Sequence, residues 1–377
     1  MTRTPERPRF READLPPGAS AVFEIDAAAL RANYQALRAR HPRGAVAAVV
    51  KANAYGSGIE VIAPVLHQAG CSRFFTAHLG EALTLRRLLP EAWIAVLNGL
   101  PPRAAEVFIE ARLLPVLGSL AEIAAWQAAA ARAGRRLPAI LHLDTGMARL
   151  GLAASEVARL AEDPALLAGI EVVLVMSHLM AAERPDDPLN EAQRRRFVEL
   201  AERLPPAPRS LANSSGVFLG PAYAFDLARA GAGLYGINPV PAHPNPLRFI
   251  GRLWARVLQV REIAAGQPVG YDASWRASRP SRIATLGLGY ADGFPYRLAN
   301  RGVLHFDERP VPLVGRVSMD LITCDVTDHP EVSPGAWLEA MGPALPPETL
   351  AALAGTSPYE ILTSLGGRIV RCIRPEE

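Results

Sequence analysis

Residues 45–58 read Ala45-Val46-Ala47-Ala48-Val49-Val50-Lys51-Ala52-Asn53-Ala54-Tyr55-Gly56-Ser57-Gly58. Six apolar residues without a helical period predict a strand buried on both faces, and the Gly-Ser-Gly beyond them marks a turn before the next amphipathic stretch. The same alternation recurs along the chain. Apolar runs follow at Phe74–Ala77, Ile94–Asn98, Leu113–Leu117, Ala139–Asp144, Glu171–Ser177, Ser210–Asn213 and Ala224–Arg229. Helix-like segments separate them, such as Ser119–Ala133, with Ser119 as N-cap and Gly134 as stop, and Asn190–Leu204, with Gln193, Arg194 and Glu199 on its polar face. Eight runs with intervening helices predict an α/β fold: an N-terminal (β/α)8 barrel, whose functional loops lie at the carboxyl ends of the strands.

Past Gly236 the texture changes. Pro239–Pro246 is a Pro-rich connector, and strand-like segments at Trp254–Val260, Arg282–Gly287, Val311–Val314 and Asp320–Val326 are separated by Gly, Pro and Asp turns. The expected organisation is a flexible leader over 1–20, the barrel over 21–240 and a mostly β C-terminal domain over 247–377. The early run Ala21–Ile25 is a candidate strand for that last domain.

Of 377 residues, 40 are Lys or Arg and 37 are Asp or Glu, for a net charge of +3, and the charges are interspersed. Charge therefore gives no reason to expect a nucleic-acid or membrane-surface partner. The longest apolar stretches fall well short of the roughly 18 residues that span a bilayer. The N-terminus lacks the apolar core of a secretory signal. Cys71, Cys324 and Cys372 are far apart and lack metal-ligand spacing, which fits a reducing cytoplasm and no metal. Reading along the chain finds one lysine, Lys51, so 39 of the basic residues are arginines. Chemistry that needs an ε-amine has one possible home.

At the end of the first barrel strand, the stem of Lys51 would sit in an apolar mouth, which favours the free amine that attacks an aldehyde. A lysine snorkelling at a strand end is the plainer alternative. The runs numbered seven and eight lead into Asn213-Ser214-Ser215-Gly216 and Arg229-Ala230-Gly231-Ala232-Gly233. In barrels, loops after these two strands often hold a phosphate, with glycines letting backbone N–H groups approach the anion. Either loop alone could be an ordinary turn. In a closed barrel strand 1 neighbours strand 8, so together they outline a Schiff-base lysine facing a phosphate site. Pyridoxal phosphate is the cofactor that needs both.

These residues carry a resemblance. From about Val22 onward the chain resembles the alanine racemase family, on Val50-Lys51-Ala52-Asn53-Ala54-Tyr55-Gly56, Asp144-Thr145-Gly146-Met147-Ala148-Arg149-Leu150-Gly151, Ser177-His178-Leu179, Arg229 to Gly236, Gly289-Tyr290-Ala291-Asp292-Gly293 and Arg316-Val317-Ser318-Met319-Asp320. The resemblance implies a pyridoxal-phosphate enzyme that interconverts L- and D-alanine with one base on each face of the substrate Cα. Lys51 would carry the cofactor and be one base. Tyr271, supplied by the partner of a homodimer, would be the other. Arg149 and the partner's Met319 N–H would hold the substrate carboxylate. Tyr55, Ser214, Gly231, Ala232 and Tyr359 would surround the phosphate, Asn213 and His178 would flank the ring, and Arg229 would face the ring nitrogen. Tyr290 and Arg316 would line the entrance.

Two departures from the family pattern stand out. Where relatives often carry a carbamylated lysine, two residues before Asp-Thr-Gly, this chain has His142, and with no second lysine a carbamate cannot form. His142 itself, a water or a bound anion is then left to orient Arg149. The family's frequent Gly-His-Gly is Gly56-Ser57-Gly58. The resemblance further implies D-alanine for peptidoglycan or a role in alanine breakdown. Alternative readings are a racemase of broader range, or of serine or lysine, and a non-catalytic pyridoxal-phosphate carrier.

Overall fold

The computed structural model describes residues 7–375. Contacts divide the chain into two compact units: one takes in Leu30–Ala54 and Ile62–Arg248, the other the described residues up to Ala29, Tyr55–Val61 and the segment from Phe249 onward. The first strand, β1 (Ala21–Ile25), belongs to the second of these.

The barrel unit holds β2 (Ala45–Val49), β3 (Arg73–Thr76), β4 (Trp93–Val96), β5 (Leu114–Leu117), β6 (Leu137–His142), β7 (Ile170–Met176), β8 (Arg209–Ser210) and β9 (Leu227–Ala230). They form one parallel sheet in the order β8-β7-β6-β5-β4-β3-β2-β9. A parallel bridge between Asn213 and Arg229 joins its two ends, with Asp226 N–H donating to the Arg209 carbonyl. Each strand answers to one apolar run of the sequence. Strands β5 and β9 are buried along their whole length, as parallel strands covered on both faces must be. Between β5 and β6 the helix Leu120–Ala133 starts on Ser119, whose hydroxyl accepts from Glu122 N–H, and stops at left-handed Gly134. The helix after β7 runs Pro188–Ala201, capped by Asp187 rather than starting at Asn190.

The second unit adds β10 (Gly251–Ile263), β11 (Pro268–Val269), β12 (Trp275–Arg276), β13 (Ser281–Leu286), β14 (Val303–Phe306), β15 (Arg309–Pro312), β16 (Ile322–Asp325), β17 (Trp337–Met341) and β18 (Val370–Ile373). The main order is β15-β14-β17-β10-β1-β18, with β13 and β16 leaving from the far half of β10. A register shift at Val257/Gln259 separates the two halves of that long strand, as bulges do. Strand β1 lies between β10, antiparallel, and β18, parallel. Its Val22 packs with Trp254 and Trp337, and Phe10 and Leu15 cover that cluster. Glu24 is buried and accepts from Arg9 N–H, Phe10 N–H and Trp254 Nε1, while Glu12 accepts from Trp337 Nε1. The described part of the expected leader is thus bonded to this sheet. Residues 1–6 of that leader lie outside the described residues.

Candidate functional site

The barrel gathers its chemistry where the strands end. Lys51 directly follows β2, His142 closes β6, Arg149 lies in the loop beyond it, His178 follows β7, Asn213 and Ser214 follow β8, and Arg229 sits within β9 ahead of Gly231 and Ala232.

Beyond Lys51 the chain makes a left-handed turn. Ala52, Asn53, Ala54 and Tyr55 have φ of 52°, 52°, 54° and 52°, and Ala54 N–H donates back to the Val50 carbonyl at 2.9 Å. Non-glycine residues pay about 1–2 kcal/mol each for this conformation, so four in succession persist only where their surroundings impose it. The carboxylate of Glu81 is one such constraint. Its Oε1 accepts Ala52 N–H at 2.6 Å and Asn53 N–H at 3.4 Å, while Oε2 accepts Ala77 N–H at 2.9 Å and His78 N–H at 3.1 Å. Gly56 closes the turn at φ 75°, and a side chain there would strike the Leu362 carbonyl.

Three cations meet in this pocket. Burial, Arg149 and Arg229 lower the proton affinity of Lys51, and Glu81 opposes them. Burial holds Arg229 at about 10, and its guanidinium donates to the Ser177 carbonyl, to the carbonyl and hydroxyl of Ser210 and, at 3.5 Å, toward His178 Nδ1. His178 is pushed well below its ordinary value by burial first and then by Arg229, Arg149 and Lys51. His142 is depressed to about 4 by burial, Arg229 and Arg149. Both imidazoles are therefore neutral at pH 7, and the pocket's spare charge is positive.

Such a pocket suits an anionic aldehyde. Ser214 Oγ accepts Gly231 N–H at 2.9 Å and Gly233 N–H at 3.1 Å, which fixes the two glycine-bearing loops together and leaves the hydroxyl proton for an anion. A Cβ on Gly233 would crowd Leu247 Cδ1 at 3.1 Å and Ser214 Cβ at 3.2 Å, so glycine lets the two loops meet closely here. Asn213 is tied by its Oδ1 to Gly216 N–H. A lysine of lowered proton affinity, a hydroxyl held between glycine N–H groups and a fixed guanidinium thus lie at the ends of the barrel strands, and these residues fit pyridoxal phosphate.

Sequence reasoning missed the supports. Gln193, expected on a polar outer face, is buried: its amide donates to Thr145 Oγ1 and the His178 carbonyl and accepts Met180 N–H. Thr145 Oγ1 in turn lies 2.7 Å from Ser177 Oγ, which donates to the Leu143 carbonyl. A signal for Glu81 was present, since His78-Leu79-Gly80-Glu81 has the spacing of a helix capping box.

The other expected residues fall in the second unit. Tyr55 is raised to about 12 by burial. Tyr359 lies on the short helix Pro358–Thr363. Tyr271 is 68% exposed in the connection between β11 and β12, beside Asp272, which pairs with Arg316 at 2.7 Å. Arg316 also donates to Tyr296 Oη. Met319 and Tyr290 are exposed too, and their loops are joined: Tyr290 N–H donates to the Ser318 carbonyl and Ala291 N–H to the Met319 carbonyl. Gly289 permits this approach, because a Cβ would meet the Met319 carbonyl.

Comparison with known proteins gives a consistent result. The family model described as the alanine racemase N-terminal domain matches residues 25–239, and the C-terminal domain model matches 250–373. An alanine racemase of Acidiphilium cryptum is 54% identical over 94% of this chain and 98% of its own, and one of Rhodospirillum rubrum is 48% identical over 94% and 96%. The crystal structure of an alanine racemase from Bartonella henselae with covalently bound pyridoxal phosphate superposes with a TM-score of 0.89 at 42% identity, covering 94% of this chain and 99% of that one.

Proposed function

The chain belongs to the alanine racemase family, and on that premise we propose how its residues divide the work of interconverting L- and D-alanine with pyridoxal phosphate. The observation that carries the assignment is the placement of the chain's one lysine at the end of β2, in an acid-poor pocket shared with Arg229 and the Ser214 cradle. Lys51 would hold pyridoxal phosphate through its aldehyde, and the cofactor would supply a conjugated ring able to accept the electron pair of the Cα–H bond.

Everything else is done by side chains. Lys51, with its proton affinity lowered, removes or returns the proton on one face of Cα. Inversion requires a second base on the opposite face, because return from the same side would restore the starting configuration. Tyr271 is assigned that role, from the partner of a homodimer. Its support is that Tyr271 is 68% exposed, with Tyr290 and Met319 exposed on hydrogen-bonded loops of the same unit. The pairing is read as two-fold. Arg149 receives the substrate carboxylate with the partner's Met319 N–H, and Arg is suited to that planar anion. Within the barrel unit Ser214, Gly231 and Ala232 would hold the phosphate, and Asn213 and His178 would flank the ring. Arg229 would face the ring nitrogen and, as a guanidinium that only donates, would not take up a proton from it, so the bound ring would be a weak electron sink. Tyr290 and Arg316 border the way in.

A cytoplasmic location is inferred from Cys71, Cys324 and Cys372, which are free thiols. There the product would serve peptidoglycan assembly or the reverse flow would feed alanine breakdown. The test is purified protein given L-alanine, with D-alanine read by a coupled oxidase and with L-serine and L-lysine as competitors. D-Alanine formation with borohydride-fixed cofactor on the Lys51 peptide is expected. Absence of both would overturn the reading.

A further inference from the structure

We propose that Glu81 is the positioning residue of the lysine, a single carboxylate that imposes the left-handed turn behind Lys51 and so aims the amine. The inference rests on the reading of Lys51 as the cofactor-bonding base.

Two features make Glu81 more than a helix cap. As a cap of the helix Leu79–Leu88, Glu81 needs to accept only the His78 N–H, on Oε2. Here Oε2 also takes Ala77 N–H, and the whole second oxygen is turned to the other loop, where it accepts Ala52 and Asn53 N–H. Those two amides are the first of the left-handed turn, the groups that have no partner inside a helical turn of either hand. Strands β2 and β3, which the two loops follow, are parallel neighbours, so one side chain on the second loop can reach the first. The four successive positive-φ residues are then explained: the strained turn is held from outside by a charge-assisted bond. A neutral amide at this position could not substitute, because its NH2 would point at donors.

The carboxylate also bears on the amine's charge. Among the groups facing Lys51, Arg149 and Arg229 are cationic, His142 and His178 are neutral, and Glu81 is the acid that raises its proton affinity. Loss of Glu81 would therefore lower the amine's titration midpoint while releasing the turn.

Two variants separate charge from reach: Glu81→Gln keeps length and loses charge, and Glu81→Asp keeps charge and loses a methylene. Because the chain has one lysine, the full-length protein labelled with 13C-lysine gives one side-chain signal, titratable before and after loading with pyridoxal phosphate. In Glu81→Gln the midpoint of the unloaded amine should fall by about one pH unit, and in both variants kcat should fall by about 100-fold, the scale expected when a reacting group shifts by about 1 Å, with KM little changed. Glu81→Asp should retain most of the wild-type midpoint. In the wild-type protein itself, the Ala52 and Asn53 amides should be protected from hydrogen exchange. Unprotected amides, or a Gln variant with wild-type midpoint and kcat, would overturn the role. Wild-type protein that neither forms D-alanine nor fixes cofactor on Lys51 would instead overturn the functional reading beneath it.

Discussion

Nη2 of Arg229 lies 3.5 Å from Nδ1 of His178, and a guanidinium only donates. Nδ1 is therefore the bare nitrogen and the proton sits on Nε2, in line with the neutral state that burial and the neighbouring cations impose on the ring. Nitrogen-15 NMR at pH 7 should show His178 as the neutral Nε2–H tautomer. An imidazolium pattern at pH 6 would contradict this contact.

His142 ties stability to pH. The unfolded chain protonates this ring near pH 6.5 and the folded chain near pH 4, so the folded state loses ground as pH falls from about 6.5 to about 4, and this group adds nothing further below that. The shift corresponds to at most about 3 kcal/mol, and His178 acts in the same direction. Urea unfolding of the cofactor-saturated protein should show a midpoint that drops between pH 7 and pH 5, and His142→Asn should flatten the drop. Equal slopes in the two proteins would remove His142 as a cause.

Gln193 holds Thr145, the His178 carbonyl and Met180 N–H at once. Gln193→Leu strips the His178 carbonyl and Met180 N–H of this partner, at about 1–3 kcal/mol for each group left buried and unsatisfied, while Thr145 Oγ1 keeps Ser177 Oγ. Thr145 begins the loop that carries Arg149, so the variant should melt several degrees lower and show a raised KM for alanine with a smaller change in kcat. A KM at the wild-type level would disconnect this network from the carboxylate site.

Lys51→Ala should yield colourless protein with no borohydride adduct, and Tyr271→Phe should stay yellow yet lose racemisation. With Tyr271 removed, exchange of the Cα proton into deuterated solvent should persist for one enantiomer only, since Lys51 still serves its face. Loss of exchange for both enantiomers would argue against a one-base-per-face division.

Gly289→Ala should push its Cβ into the Met319 carbonyl. The expected result is a protein destabilised by a few kcal/mol, the scale of overpacking, with a weakened hold on the substrate carboxylate. Wild-type melting and KM would show that the two loops separate freely.

The barrel was legible because a parallel strand covered on both faces leaves an uninterrupted apolar run, and all of β2 to β9 lie on such runs. Ser119 and Gly134 marked their helix because capping chemistry is local. The strands β14, β17 and β18 escaped reading: Val303–Phe306 and Val370–Ile373 are short and mix His or Arg with apolar residues, so neither period shows. Gln193 was misread since a polar residue on a helix is normally solvated, and only the meeting of β6 and β7 with that helix gives it buried partners. The left-handed turn had no warning in Ala52-Asn53-Ala54-Tyr55, because the force that imposes it comes from Glu81, far along the chain.

Strand β1 stands between β10 and β18, and this has a consequence for how the chain is made. Strand β1 stands one place from the edge of the second sheet, its neighbour β10 follows only after the whole barrel, and β18 lies farther along the chain still. Strand β1 can pair with neither neighbour until the whole barrel segment has been made, so its pairing is a non-local event. Shortening the chain at either end would strip the same sheet.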